Sequence, residues 1–335
     1  MSQRQDWAVV TELLKSLSTF LQDKSLYEVI VNRPGQVLTE GPGGWRTHEM
    51  PELTFEKLMR LARAIASFSH QSIDEAHPIL SATLPGGERI QIVIPPATVV
   101  GTVSITIRKP SSIDFSLDDL EENGFFQTAC AANDILSTQD EELGEAYRAG
   151  RFKDFLRLAV IARKNIIISG ATGSAKTTLS KALIKHIPES ERVISIEDTP
   201  EFIISQPNHV RLFYSKGGQG LSHAGPKELL ESCLRMRPDR ILFQELRDGT
   251  AFYYIRNVNS GHPGSITTVH ANSAELAFEQ LVLLVKESEG VAGLDRADIV
   301  ALLKASIDIV AQCRRNKGNF RLSEVYFRCE RKAKD

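Results

Sequence analysis

The stretch Gly170-Ala171-Thr172-Gly173-Ser174-Ala175-Lys176-Thr177-Thr178 decides which fold to expect, because of what lies on either side of it. An apolar run at 165–169 precedes it, and residues 179–184, typical of a helix, follow it. The order strand, glycine-containing loop, Lys-Thr, helix is that of a phosphate-binding loop. In such a loop, successive backbone N–H groups and the positive end of a helix dipole surround a diphosphate.

The end of this stretch predicts a nucleoside triphosphate as the ligand. The ammonium of Lys176 is placed to reach the β- and γ-phosphates, and the hydroxyl of Thr177 is placed to ligate Mg²⁺. All nine residues are therefore predicted to contact the nucleotide; they are Gly170, Ala171, Thr172, Gly173, Ser174, Ala175, Lys176, Thr177 and Thr178.

Position 175 departs from the pattern G-x-x-x-x-G-K-[ST], since Ala175 stands where the second glycine is expected. A loop of this kind alternates left- and right-handed residues, so we expect a positive φ at position 175. An alanine in that conformation costs roughly 1–2 kcal/mol. Because Lys176 and Thr177 stand at the correct offset, we favour a working phosphate loop over a strand–helix turn that binds nothing.

Composition sets the broad class. A chain of 335 residues with 42% hydrophobic and 24% charged residues is predicted to form two folded domains. Its formal net charge of −2 gives no support to a protein that wraps a polyanion, and we expect no sequence-specific binding of nucleic acid. The four cysteines are scattered, which argues against a disulfide framework or a zinc site and favours the reducing cytoplasm. No apolar stretch approaches the ~20 residues that span a bilayer, so any membrane contact is expected to be peripheral.

Hydrophobic periodicity divides the chain into three parts. Residues 1–110 are predicted to be a small α+β domain with an antiparallel sheet, because apolar residues alternate at 90–94 and at 103–107. Residues 111–150 have no sustained strand pattern and are predicted to be a linker. From 151 to 335 strands alternate with helices, which predicts an α/β domain with a doubly wound sheet. Its candidate strands are 165–169, 192–196, 209–213, 240–244, 265–269, 307–312 and 320–327.

Three chemically suggestive residues follow predicted strands of the second domain, namely Glu197, Glu245 and His270. Ligands of open α/β sheets bind at the carboxyl ends of the strands. An acid there can orient or deprotonate an attacking water or hold the Mg²⁺ shell, and a histidine can contact the γ-phosphate. Each of these residues alone is a weak signal, because turn acids and strand-end histidines are common; together, after a phosphate loop, they indicate phosphoryl transfer.

Two arginines of the first domain, Arg89 and Arg108, lie outside the phosphate-binding fold. They could reach a nucleotide by closure of the two domains or from a neighbouring subunit. Position alone favours surface ion pairs for both.

The motifs together resemble those of the secretion traffic ATPase superfamily. Four matches lie in the second half and three in the first, so the resemblance runs from about residue 8 to residue 327. They are 170–178, Ile196-Glu197-Asp198-Thr199, Arg235-Met236-Arg237-Pro238-Asp239-Arg240 followed by Glu245, Gly261–Gly264 with 267–273, Val31-Asn32-Arg33-Pro34-Gly35, Leu84-Pro85-Gly86-Gly87-Glu88-Arg89 and Ile107-Arg108-Lys109-Pro110. Within the superfamily the chain is most similar to the VirB-type ATPases of type IV secretion systems.

This resemblance implies a RecA-like P-loop NTPase domain preceded by the smaller α+β domain, and it implies ATP hydrolysis coupled to secretion. It implies a homohexameric ring at the cytoplasmic face of a bacterial inner membrane, in contact with inner-membrane and cytoplasmic components of a secretion channel. It implies Glu197 as general base, Glu245 for Mg²⁺ and water orientation, and His270 as sensor of the γ-phosphate. It also implies that Arg89 and Arg108 contact the phosphates.

Other functions remain open at this point. The chain lacks the four-cysteine zinc subdomain usual in type II secretion and pilus-assembly ATPases, but pilus-retraction ATPases lack it too. Ala175 allows a nucleotide-gated assembly scaffold that hydrolyses little ATP, and a small-molecule kinase is a remote alternative. Whether each nucleotide site is completed within one chain or by a neighbour stays undecided.

Overall fold

The computed structural model describes residues 3–110, 115–129, 138–216, 220–288, 291 and 293–332. Parts of the predicted linker, residues 111–114 and 130–137, therefore lie outside the described residues. Within the described ranges, no helix is both long enough and apolar enough to cross a membrane.

The first 110 residues form an antiparallel sheet covered by helices, as the alternating apolar pattern predicts. Its six strands lie in the order β3-β2-β1-β6-β5-β4, and every neighbouring pair is antiparallel. The helices bury leucines and alanines against the sheet. In chain order the elements are α1 (Gln3–Leu14), α2 (Ser18–Gln22), β1 (Glu28–Val31), β2 (Gln36–Gly41), β3 (Gly44–Glu49), α3 (Phe55–Phe68), β4 (Ile79–Thr83), β5 (Arg89–Val93) and β6 (Ser104–Arg108).

The two edge strands, β3 and β4, are absent from the sequence prediction. The sequence of β3, Gly-Trp-Arg-Thr-His-Glu, has no run of alternating apolar residues, and its side chains are exposed or half-buried. Such a strand is fixed by its pairing with β2 and not by a buried face of its own, so periodicity misses it.

The second half has two sets of mainly parallel strands, and an interior strand of one set, β7, leads into the glycine loop. One set of strands lies in the order β10-β8-β9 and the other in the order β11-β7-β12-β13, with only β13 antiparallel. The elements are α6 (Phe152–Ile161), β7 (Ile166–Gly170), α7 (Lys176–Ile184), β8 (Val193–Glu197), β9 (His209–Phe213), α8 (Pro226–Cys233), β10 (Arg240–Phe243), α9 (Thr250–Val258), β11 (Ile266–Val269), α10 (Ala274–Lys286), α11 (Arg296–Ser306), β12 (Ile309–Asn316), β13 (Asn319–Phe327) and α12 (Arg328–Lys332).

The two sets of strands lie side by side, so that β7, β8, β10 and β11 all end at one edge. The backbone N–H of Leu246, just after β10, donates to the carbonyl of Thr268 in β11 at 2.9 Å. The hydroxyl of Thr268 in turn donates to the carbonyl of Gln244 at 3.0 Å. This brings the predicted strand-end residues to the same edge as the glycine loop.

The described part of the predicted linker contains two helices, α4 (Leu117–Glu122) and α5 (Thr138–Arg148). Leu143 and Ala146 of α5 are buried in one cluster with Phe155 of α6 and Phe327 of β13. The end of the predicted linker thus contributes to the core of the second half, while the domain boundaries themselves stay a prediction.

Candidate nucleotide-binding site

The glycine loop has the conformation that a phosphate cradle requires. Gly173 and Ala175 both have left-handed backbones, with φ of 70° and 73°, and Ala175 is the N-terminal flanking residue of α7. The positive φ expected at position 175 is therefore present, on an alanine. A Cβ at Gly170 would come within 2.6 Å of the Cys313 carbonyl, so glycine is needed where the loop leaves β7.

The remaining loop residues divide by exposure. Ala171, Thr172, Gly173 and Thr178 are exposed, Thr177 is half-buried and Ser174 is buried. The first backbone N–H groups of a helix have no acceptor within the helix, and here Leu179 is the first whose N–H donates back, to the carbonyl of Ala175 at 3.0 Å. The N–H groups at the start of α7 therefore point towards the loop with the positive end of the helix dipole.

Lys176 is folded into this loop. Its Nζ donates to the carbonyls of Gly170 and Ala171 at 2.9 and 3.1 Å, and it lies 3.3 Å from Nδ1 of His270. Burial lowers the pKa of the Lys176 ammonium, against the opposing effect of the nearby Glu245 carboxylate. The structure therefore brings Lys176 and His270 together, as the prediction of a common phosphate site requires.

Glu245 extends this contact. Its Oε1 lies 2.8 Å from Nε2 of His270, close enough for an ion pair, although the geometry is not that of a hydrogen bond. The other oxygen, Oε2, accepts from the guanidinium of Arg247. Lysine, histidine and acid thus form a continuous chain of contacts beside the loop.

Arg247 is a site residue that sequence reasoning missed. Its Nη1 donates to Asp198 at 3.0 Å, so it bridges the acids at the ends of β8 and β10. The carboxylate of Asp198 also lies 2.7 Å from Nζ of Lys216. The sequence did contain a signal for it. Arg247 stands only two residues after Glu245, so its side chain was to be expected close to that acid at the end of the strand.

Glu197 is completely buried, and its carboxylate is engaged on both oxygens. Arg211 donates to both oxygens, at 2.9 and 2.8 Å. Oε1 also accepts from the Ser195 hydroxyl at 2.7 Å, and Oε2 accepts from two backbone N–H groups, those of residues 201 and 202. In this arrangement the acid organises the turn after β8, and its role as general base stays a prediction.

Arg89 and Arg108 lie together, but away from the loop of their own chain. They are paired across β5 and β6, and both line a cavity of about 390 Å³ that also includes Arg235 of the second half. No residue of the glycine loop lines this cavity. Arg108 donates to Glu28 at 2.6 Å, the kind of ion pair that position alone had favoured.

Several buried polar atoms around the loop have no hydrogen-bond partner. Within the described residues they include the hydroxyls of Ser169 and Ser174 and also Oε1 of Glu245, whose contact with Nε2 of His270 is not a hydrogen bond. An unpaired buried polar group is costly, so unpaired atoms grouped around one cradle fit a site built for a polar ligand. The Thr177 hydroxyl and the Glu245 carboxylate are oxygen ligands of the kind that suits a hard cation that keeps several waters. No group of three or more histidine, cysteine or acidic residues in the described ranges is arranged as a protein-only metal site.

Comparison with known proteins gives a consistent result. A family model for "Type II/IV secretion system protein" matches residues 14–316. The type IV secretion system protein VirB11 of Bartonella henselae is 59% identical over 331 residues, covering 96% of this chain and 93% of that protein. VirB11 of Brucella suis is 43% identical, covering 92% and 90%.

A solved structure agrees over nearly the whole chain. The crystal structure of the VirB11 ATPase from the Brucella suis type IV secretion system, in complex with sulphate, has a TM-score of 0.93 and 41% identity, covering 98% of this chain and 97% of that chain. The resemblance drawn from the motifs and the predicted fold, a RecA-like P-loop domain preceded by a smaller α+β domain, are thereby confirmed. The chain belongs to the type II/IV secretion system protein family and, within it, to the VirB11 ATPases of type IV secretion systems.

Proposed function

We propose that the chain hydrolyses Mg²⁺-ATP in a homohexameric ring and uses the resulting domain motion to power assembly of, and transport through, a type IV secretion channel. The observation that carries this proposal is the left-handed glycine loop with Lys176 inside it, in contact with His270 and, through His270, with Glu245. A turn that binds nothing would not need a buried ammonium, a strained Ala175 and unpaired buried hydroxyls in one place.

Binding rests on the loop residues. The free N–H groups at the start of α7 and the Lys176 ammonium would hold the β- and γ-phosphates. In this structure, Lys176 donates to two loop carbonyls. Phosphate oxygens would replace these weaker acceptors, and because the ammonium is already buried, binding requires no further burial of its charge. The relative from Brucella suis that was crystallised with sulphate bound a tetrahedral anion of the same shape class as phosphate.

Mg²⁺ would be held by the Thr177 hydroxyl, the Glu245 carboxylate and phosphate oxygens. When bound, the ion neutralises the charge that develops on the phosphate oxygens. Oε1 of Glu245 makes no hydrogen bond, and to bind the ion it would exchange its 2.8 Å contact with Nε2 of His270 for a contact with Mg²⁺.

In hydrolysis, a water oxygen bonds to the γ-phosphorus, the bond from that phosphorus to the bridging oxygen of ADP breaks, and the water proton passes to a base. Glu197 is the predicted base. Both of its oxygens are engaged, so it must first give up a hydrogen bond, and the bonds from Arg211 are the candidates because that guanidinium is partly exposed. His270, which contacts both Lys176 and Glu245, would register loss of the γ-phosphate.

In a ring, a neighbouring subunit would supply the arginines that one chain does not bring to its own phosphate loop. Because the cavity with Arg89 and Arg108 includes no loop residue, these arginines would reach the phosphates of a neighbouring copy or only after domain closure. The partners expected in the cell are inner-membrane and cytoplasmic components of the channel, with peripheral placement at the bacterial inner membrane.

The test is ATP hydrolysis by purified protein over a concentration series, with molar mass measured in the same samples by light scattering. Turnover that rises with a sixfold assembly supports the proposal, and Lys176→Ala should abolish turnover while the protein still folds. Full turnover by a stable monomer, or by the Lys176 variant, would contradict it. Nucleotide binding and assembly without turnover would support the second candidate, a gated scaffold, which the strained Ala175 favours.

A further inference from the structure

The carboxylate of Glu197 is held by an arginine on the outermost strand of its sheet. Strand β9 lies at the outer edge of the set β10-β8-β9, and Arg211 of β9 pairs in register with Ser195 of β8. From there its Nε and Nη2 donate to the two oxygens of Glu197 at 2.9 and 2.8 Å. A bidentate pair of this kind fixes both the position and the direction of a carboxylate. Freeing Glu197 from this pair therefore requires a movement of Arg211 relative to β8.

The first half of the chain is attached to the outer side of this same strand. The hydroxyl of Thr98 donates to the backbone carbonyl of Arg211 at 3.0 Å, and the backbone N–H of Phe213 donates to the carbonyl of Ala97 at 2.9 Å. Thr98 also forms a β-bridge to Leu212, and both Ala97 and Thr98 are buried. The backbone of Arg211 is thus bound to the first half, while its side chain holds the predicted base.

The segment that contacts β9 belongs to the strand pair that carries Arg89 and Arg108. It connects β5 to β6, and the two arginines are paired at the opposite end of these strands. The five paired positions of β5 and β6 span roughly 14 Å at ~3.4 Å per residue. Because hydrogen-bonded strands move largely together, a displacement at the arginines displaces the segment on β9. The pair β5–β6 therefore connects the cavity of Arg89 and Arg108 with the strand that holds the base.

Arg211 can leave Glu197 without stranding the carboxylate. The acid would keep three hydrogen bonds, one from the Ser195 hydroxyl to Oε1 and two from the backbone N–H groups of residues 201 and 202 to Oε2. The guanidinium also has another place to go, because its side chain is 20% exposed and its Cζ lies 5.2 Å from the centre of the Phe213 ring. The pair is thus suited to be broken and formed again.

We propose that Arg211 is a positioning residue that restrains the predicted base, and that the first half controls this restraint through the contact of residues 97 and 98 with β9. With the first half docked on β9, Arg211 holds both oxygens of Glu197 and hydrolysis is slow. When the strand pair β5–β6 moves off β9, the arginine withdraws and the carboxylate is free to accept a proton from water. This inference rests on the proposed function, because it takes Glu197 as the base.

The test is steady-state hydrolysis of Mg²⁺-ATP by the full chain carrying Thr98→Val, which removes the hydroxyl that reaches β9 and keeps the β-branched shape. One hydrogen bond contributes about 1 kcal/mol net, which converts to about a fivefold change in population. We therefore expect kcat to rise about fivefold, because the docked state is weakened. KM should stay unchanged, because the phosphate loop is not touched.

The matched control is Thr102→Val in the same segment. The hydroxyl of Thr102 donates to the carbonyl of Val99 at 2.7 Å, a hydrogen bond within the segment that does not reach β9. This variant should leave kcat and KM unchanged. An equal rise in kcat in Thr102→Val would mean that loosening of the segment, and not its contact with β9, changes the rate, and would contradict the proposal.

Arg211→Lys tests whether the two contacts act together. A lysine keeps the positive charge but does not bind both carboxylate oxygens as the planar guanidinium does, so kcat should rise in this variant too. Adding Thr98→Val to Arg211→Lys should raise kcat no further, because the restraint is already released. An arginine with a purely structural role predicts instead a lower kcat in Arg211→Lys, and independent contacts predict that the two effects multiply.

An unchanged or lower kcat in Thr98→Val, in a wild type that hydrolyses ATP and loses this activity in Lys176→Ala, would overturn the restraint and leave the proposed function intact. Absence of hydrolysis in the wild type, in Thr98→Val and in Arg211→Lys would refute the proposed function and the restraint with it. Thermal unfolding of every variant separates a changed rate from lost folding.

Discussion

At the scale of the residue, Ala175 is where sequence and geometry conflict. Its φ of 73° is a conformation that glycine adopts freely and alanine does not. The fold maintains this left-handed conformation because the loop fixes the residues before Ala175 and α7 fixes the residues after it. Strain of this kind at a ligand cradle is common, since the cradle is what the surrounding structure enforces.

We expect Ala175→Gly to raise the free energy of unfolding by up to about 1.6 kcal/mol. Release of the left-handed strain gains roughly 1–2 kcal/mol, and the extra freedom of glycine in the unfolded chain returns about 0.4–1 kcal/mol of it. Denaturant unfolding measures the difference. A destabilised variant would mean that the alanine methyl makes a favourable contact that outweighs the strain.

The same substitution separates the motor from the scaffold. A turnover that rises markedly in Ala175→Gly would show that the alanine restrains hydrolysis, whereas an unchanged and substantial rate would reject the scaffold.

At the scale of the element, Asn165 connects three strands at the edge opposite the phosphate loop. Its Oδ1 accepts from the backbone N–H groups of Gly264 and Ser265 at 2.9 and 3.1 Å, next to β11. Its Nδ2 donates to the Ser306 carbonyl at 2.9 Å, and its own backbone N–H donates to Asp308 at 2.8 Å, next to β12. One buried amide thus sets where the strands on either side of β7 begin.

We expect Asn165→Ala to lower the free energy of unfolding by at least about 3 kcal/mol, because three buried backbone groups lose their partner and each costs about 1–3 kcal/mol. Chemical denaturation measures this loss. Asn319→Ala, at the exposed start of β13, is the control and should change stability little. Equal effects of the two substitutions would mean that the amide contacts are replaced by water.

At the scale of the whole molecule, Arg192 joins the two halves. It is fully buried, and its guanidinium donates to Oδ1 of Asn32 in the first half at 2.8 Å and to the carbonyl of Met236 in the second half at 2.8 Å. Asn32 also donates to Asn208 at 3.0 Å, and Arg237 pairs with Glu40 across the same joint. Burial lowers the pKa of Arg192 to about 10, so the side chain is still charged at neutral pH.

We expect Arg192→Met to uncouple the unfolding of the two halves, because Asn32 and Met236 lose their buried donor. Both tryptophans, Trp7 and Trp45, lie in the first half, so their fluorescence follows that half while far-UV circular dichroism follows the whole chain. The two transitions should coincide in the wild type and separate in Arg192→Met. Coincident transitions in the variant would contradict a coupling role for this arginine. Arg321→Ala on β13 is the exposed control.

The fold was predictable wherever a local pattern reports burial. The central strands read as apolar runs because they are covered on both faces, and the glycine loop was recognisable because its chemistry depends on consecutive residues. The edge strand β3 and the packing of α5 against the second half were not predictable, because strand pairing and contacts between distant residues fix them.

For the site, Lys176, Glu245 and His270 were expected near one another, and the structure has them in contact. Arg247 was missed. The roles of all site residues stay predictions.

The sequence by itself determined the phosphate loop, the order of strands and helices, and the family, since each depends on residues close together in the chain. Only the tertiary structure decided that both oxygens of Glu197 are held by Arg211, and that Arg89 and Arg108 share a cavity that no residue of their own loop lines. The physical reason is that a contact between residues far apart in the chain depends on strand order and register, which no local pattern encodes. The sequence therefore shows which acids follow a strand, whereas the residues packed around each acid determine which chemical role it can have.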